Sequence, residues 1–214
     1  MSRLQGLAHD LAGTASDQNL TFAYNPASQI VTRTMSNTAY ASDAVGATGS
    51  YAVNGLNQYT SVAGTPFAYD ANGNLTSDGA TTYVYDAENR LVSASGATSA
   101  TLSYDPLGRL WQVSSAAGTS RFLYYGDELG QEFDGAGNML RAYVHGTGPD
   151  DPLVWYEIGA VPQRRHLYTD HQGSIVAIAD HAGNVMQINA YDAWGVPDAT
   201  AASTRCSSST TRDS

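Results

Sequence analysis

The chain has 214 residues, a net charge of −10 and a pI near 4.6, and its 10 basic residues are all arginine. Scattered arginines on so acidic a chain exclude a nucleic-acid backbone as partner, and the lone Cys206 excludes a disulfide framework or a cysteine-rich zinc site. Asp outnumbers Glu 16 to 4, beside 21 Gly and 14 Tyr, which argues against a helical bundle and for short strands with many tight turns.

In chain order, residues 1–20 read as a weakly patterned segment. Their apolar stretch is broken by His9 and Asp10, so it does not read as a secretory signal. No run reaches transmembrane length. From residue 21 one unit recurs, a tyrosine plus an Asx residue followed by a Gly/Asn turn and a short alternating run. A loose copy is Tyr24-Asn25-Pro26. The clearest copies open at Tyr69-Asp70, Tyr85-Asp86 and Tyr104-Asp105, spaced 16 and 19 residues apart. Asp134 to Met139 and Asp180 to Val185 keep the second half of the pattern, and residues 145–165 read as an irregular insertion with two strands at most. The pattern returns at Tyr168-Thr169-Asp170-His171-Gln172-Gly173-Ser174 and at Tyr191-Asp192-Ala193-Trp194-Gly195. Residues 199–214 contain no aromatic side chain and read as a disordered Ser/Thr-rich tail.

The residue types explain the unit. An Asp or Asn after a strand accepts hydrogen bonds from backbone N–H groups two residues on. Gly73, Gly108, Gly137 and Gly183 supply the positive φ of a tight hairpin turn. Tyr83 and Tyr85 share one strand face, as do Leu102 and Tyr104, which is period two rather than 3.6. Successive hairpins of this length stack laterally into one long antiparallel sheet. The expected fold is therefore all-β, a curved antiparallel sheet of short hairpins.

Tyr-Asp followed by Gly-Asn-Leu or Gly-Arg-Leu at this spacing resembles the YD repeat of the RHS proteins. The phrase from Tyr51 to Tyr59 is similar to another recurring phrase of that family, and the run from Tyr168 to Gly195 resembles the stretch just before the RHS-associated core. The resemblance covers residues 20 to 198. It marks Tyr69, Asp70, Gly73, Tyr85, Asp86, Tyr104, Asp105, Gly108, Tyr168, Asp170, His171, Gly173, Tyr191, Asp192 and Gly195 as repeat-defining structural residues. It implies part of a hollow β-sheet shell that encloses a C-terminal toxin released by self-cleavage, delivered by a secretion spike or shown at the cell surface. The implied partners are the remaining shell repeats, the enclosed toxin and a secretion-spike protein. The Asp-Pro-x-x-Gly cleavage motif is not matched; Asp105-Pro106-Leu107-Gly108 is one residue short and sits inside a repeat. The chain thus reads as truncated before the cleavage motif. Without a secretory signal, such a fragment could accumulate in the cytoplasm, whereas the family is secreted or at the cell surface.

Other chemistry is weakly supported. His166, Asp170 and His171, with His181, have helical metal-ligand spacing in a segment patterned as strand and turn. Asp70 to Asn74 alternates oxygen donors, but Leu75 and Thr81 stand where an EF-hand loop needs glycine and an acid. Asp127, Glu128, Glu132 and Glu157 are not tied into a glycosidase pair, and no nucleophile elbow is present. The reading is a non-catalytic shell strip without cofactor, metal or membrane insertion, able to self-associate through open sheet edges. The alternative is a carbohydrate-binding or adhesin-like surface module, with exposed aromatic side chains stacking on sugars.

Overall fold

The computed structural model describes residues 3–42, 50–192 and 195. Strands β1 (Gly6–His9), β2 (Gln18–Tyr24) and β3 (Ile30–Met35) form one antiparallel sheet in sequence order. Strands β4 (Tyr51–Val53), β5 (Tyr59–Val62) and β6 (Thr65–Pro66) form a second. The third sheet has thirteen strands among the described residues, each beside the strand next to it in sequence. It runs through β7 (Ala68–Tyr69), β8 (Leu75–Ser77), β9 (Thr81–Tyr85), β10 (Leu91–Gly96), β11 (Ala100–Tyr104), β12 (Leu110–Ser115) and β13 (Gly118–Tyr125). It continues with β14 (Glu128–Asp134), β15 (Met139–His145), β16 (Pro152–Glu157), β17 (Gln163–Thr169), β18 (Ile175–Ala179) and β19 (Val185–Ile188). This is the all-β hairpin sheet that the period-two pattern calls for.

Two stretches differ from the sequence reading. Residues 1–20 carry β1 and the start of β2, because Gln18, Leu20 and Phe22 alternate with exposed neighbours and bury one face. Residues 145–165 hold β16 and the start of β17, two strands as read, and they are part of the large sheet: Val154 to Glu157 pair with His166 to Gln163, with Trp155 opposite Arg165, so this stretch adds a rung. The tail at 199–214, and Ala193 and Trp194, lie outside the described residues.

The chain divides into two compact units, Met1–Val45 with Tyr143–Ser214, and Gly46–Ala142. Most of the deeply buried apolar side chains belong to the first: Leu11, Leu20, Phe22, Tyr40, Leu167, Ala177, Ala179 and Ala190. There β1 and β2 pack on β17 and the turn after it, with His9 edge-on to Tyr168 at 5.5 Å and Phe22 against His171 at 4.8 Å between ring centroids. In the second unit the strands have two unlike faces. Thr81, Tyr83 and Tyr85 of β9, and Leu102 and Tyr104 of β11, share the more buried face, while Thr82, Val84, Thr101 and Ser103 are exposed.

Candidate functional site

The recurring element is a five-residue Asx turn. At Asp105 the carboxylate Oδ1 accepts the backbone N–H groups of Leu107 and Arg109, both at 2.9 Å. The Asp105 N–H donates to the Arg109 carbonyl at 2.8 Å, and the Gly108 N–H to the Asp105 carbonyl at 2.9 Å. The same backbone pair closes turns at Asn25, Asn54, Asp70, Asp86, Asp134, Asp170 and Asp180, making eight among the described residues. Each of these hairpins shows a register shift beside its turn. The fourth turn residue is left-handed in every copy: Gly at 73, 108, 137, 173 and 183, but Ser28, Asn57 and Asn89 elsewhere. A left-handed residue after the turn inserts the extra residue of a bulge and sharpens the twist.

The fifth residue closes the turn a second time. Asn74, Asn138 and Asn184 donate Nδ2 to Oδ2 of Asp70, Asp134 and Asp180, at 2.9, 2.8 and 3.0 Å. Gln29 and Gln58 accept from the side-chain amides of Asn25 and Asn54. Arg90 and Arg109 donate Nε to Oδ2 of Asp86 and Asp105. These two guanidinium groups then lie over the rings of Tyr104 and Tyr124, each 4.9 Å from the centroid. The same tyrosines donate their hydroxyls back to Leu91 O and Leu110 O at 2.8 Å, five positions beyond the aspartate of the preceding turn. Tyr191 does likewise to Ile175 O at 3.1 Å. One hairpin is thereby bolted to the next through side chains as well as through the backbone ladder. Between turns, Asn72 and Asn74 both donate to Asn89 Oδ1.

The structure therefore distributes the repeat residues along the sheet, one set per hairpin. Tyr69, Tyr85 and Tyr104 stand opposite Leu75, Leu91 and Leu110 in register. Tyr168 packs on His9, His171 on Phe22, and the Gly195 N–H donates to the Asp192 carbonyl at 3.1 Å. His166 sits mid-strand opposite Val154 and Ala179. Glu132 pairs with Arg141 at 2.8 Å and Glu157 with Arg165 at 3.3 Å. Sequence reasoning did not single out the fifth turn residue or the non-glycine left-handed positions. The signal was present as a side chain long enough to reach back at four positions past seven of the eight Asx residues.

One concavity gathers polar groups. Within the first unit, a cleft of about 480 Å³ is lined by His9, Arg33, Tyr40, Asp170, Gln172 and Tyr191, with Leu20, Met35 and Val176 as its apolar part; Asp192 and Gly195 also border it. His9 is 8% exposed, and its Nδ1 is buried without a hydrogen-bond partner. Burial holds its pKa below the ordinary 6.5, against opposing contributions from a backbone hydrogen bond to Thr169 and from the Asp170 charge.

The turns give a signed pH dependence. The Asn74, Asn138 and Asn184 side chains, and then backbone N–H groups, hold Asp70, Asp134 and Asp180 below the ordinary 3.8. At Asp86 the Arg90 backbone N–H leads, followed by its guanidinium. Depressed carboxyl pKa values give stability that is present above 3.8 and lost as the pH falls through the folded values. His9, also depressed, adds stability that is complete above 6.5 and declines below it. Thermal melts between pH 8 and pH 3 are expected to fall in two stages, and the upper stage should vanish in His9→Phe. An unchanged melting temperature from pH 8 to pH 5 in the unsubstituted chain would contradict the role given to His9.

The Teneurin YD-shell family model matches residues 10–198. The tRNA nuclease WapA of Bacillus subtilis (strain 168) is 34% identical over 154 residues, which is 69% of this chain and 6% of that protein. The tRNA3(Ser)-specific nuclease WapA of Bacillus spizizenii is 33% identical over the same length. The chain thus spans about 6% of the length of these curated relatives. Among solved structures, the Photorhabdus luminescens Tc holotoxin pore matches with a TM-score of 0.37 at 13% identity, over 84% of this chain and 13% of that one. The crystal structure of TcdB2-TccC3-TEV matches with a TM-score of 0.34 at 15% identity, over 88% of this chain and 14% of that one.

Proposed function

Because this chain belongs to the teneurin YD-shell family, we propose that it forms a section of the wall of a YD-repeat shell that encloses a toxin domain and performs no chemistry itself. The observation that carries this reading is the Asx turn repeated eight times, with each strand of the large sheet beside its neighbour in sequence. Such a sheet grows by adding hairpins, without needing a central core for each one. Among the described residues, β7 and β19 have no strand on their outer sides, so further repeats can continue the ladder at either edge. The enclosed domain would be a toxin of the class to which the WapA relatives belong, a nuclease, with the nuclease chemistry outside this strip. Delivery by a secretion-spike protein or display at the cell surface is the matching location. No described helix is long and apolar enough to cross a membrane.

The two sheet faces provide the test. A photo-crosslinking amino acid is placed at Leu102, on the more buried face, or at Ser103, on the exposed one, in the full-length polypeptide that carries this strip. A wall gives crosslinks to a segment outside the repeats from one face only, and loses them when that segment is deleted. If neither position crosslinks within the polypeptide, the enclosing role is wrong.

A further inference from the structure

Seven of the eight Asx turns close the second side-chain atom of the turn residue with the side chain four positions on. The exception is Asp170, where that position is Ser174. Asp170 Oδ1 accepts the Gln172 and Ser174 N–H groups at 2.8 and 3.0 Å, as its counterparts do. Its Oδ2 lacks the amide or guanidinium that covers this atom at the other aspartate turns. This one uncovered turn is also the one that lines the cleft.

His9, lining the same cleft, is buried with Nδ1 unpartnered. Burial favours its neutral ring, so this side of the cleft brings no positive charge to oppose Arg33. The uncovered Asp170 Oδ2 borders the cleft and calls for a ligand with a hydrogen-bond donor. The lining combines two carboxylates, Asp170 and Asp192, with the Arg33 guanidinium, and a hydroxylated neutral ligand can donate to Asp170 while accepting from Arg33. Leu20, Met35 and Val176 offer an apolar surface for C–H groups, and the volume of about 480 Å³ falls within the range of small-molecule sites. We infer that the cleft between β1–β3 and the β17–β18 turn binds a neutral saccharide, with a hydroxyl donating to Asp170 Oδ2.

Two substitutions separate this site from the turn itself. Asp170→Asn and Asp180→Asn both preserve the turn, because Asn25 and Asn54 already build it. Only Asp170→Asn replaces an acceptor facing the cleft with a donor. Saturation-transfer NMR on the full 214-residue chain would use the methyl glycosides of glucose, galactose, mannose and N-acetylglucosamine as probes. At least one is expected to show saturable transfer, weakened about tenfold or more in Asp170→Asn, the loss of one charge-assisted hydrogen bond, and unchanged in Asp180→Asn. Absence of transfer to all four glycosides overturns the proposal. So does an equal loss in both variants, or displacement of the glycoside by arginine methyl ester at a lower concentration, which would make the ligand a cation. Because the readout needs only this chain, failure here leaves the shell reading to its own crosslinking test.

Discussion

Gly96→Ala is expected to destabilise the second unit by about 2–4 kcal/mol, with Gly118→Ala as the comparison. Gly96 ends β10 at φ +126°, a backbone conformation that L side chains rarely adopt. An added Cβ would lie 2.3 Å from the Ala80 carbonyl oxygen and 3.1 Å from the Thr81 Cα, both backbone atoms with no rotamer to change. Gly118 has nearly the same φ, +122°, but open space around its Cβ position. Both variants therefore carry the φ strain, and only Gly96→Ala carries the collision. Urea denaturation of the two should show a lower midpoint for Gly96→Ala. Equal midpoints would mean that the close approach between the end of β10 and the β8–β9 loop contributes nothing.

Phe22→Ala is the second large effect, expected at about 3–4 kcal/mol. Phe22 is 7% exposed, and its ring faces His171 in the turn after β17. Removing it leaves a cavity where the β1–β3 sheet meets that turn. The loss should be local at first: limited proteolysis is expected to cut within residues 3–42 before the strands of the second unit. A double-mutant cycle with His171→Ala should give a coupling of about 0.5–1.5 kcal/mol for the ring pair. Additive effects would show that the two rings are neighbours without being partners.

These two variants probe different sources of stability. The second unit has few deeply buried side chains, Thr81, Ala94 and Glu132 among them. Its strands are held instead by backbone ladders, by Asx turns, and by tyrosine hydroxyls that reach the previous hairpin. That construction suits a wall, which needs its neighbours along the sheet more than a core beneath it. The first unit does have a core, and there His9 and Asp170, some 160 positions apart in sequence, border one cleft.

How much was readable depends on the range of the interaction. The turn at Asp105 is made within five residues, from an oxygen, two N–H groups and a left-handed glycine, so Tyr104, Asp105 and Gly108 announce it without reference to the rest of the chain. The hairpin order follows, because each turn returns the chain beside the strand just completed. The alternation of Gln18, Leu20 and Phe22 was equally local, yet residues 1–20 read as weakly patterned because they lack the tyrosine that marks the repeat. Their burial comes from β17 and the turn after it, far along the chain.

The covering of residues 1–20 and the uncovered Asp170 were decided by tertiary structure alone. Ser174 is visible in the sequence as a short residue where other turns have Asn, Gln or Arg, but nothing local says that the freed carboxylate oxygen borders a cleft rather than water. That depends on β1 carrying His9 against Tyr168, a contact between residues whose separation no turn or strand rule spans. Hydrogen bonds that close within a few residues are specified by the residues themselves, whereas burial is specified by whatever else packs there.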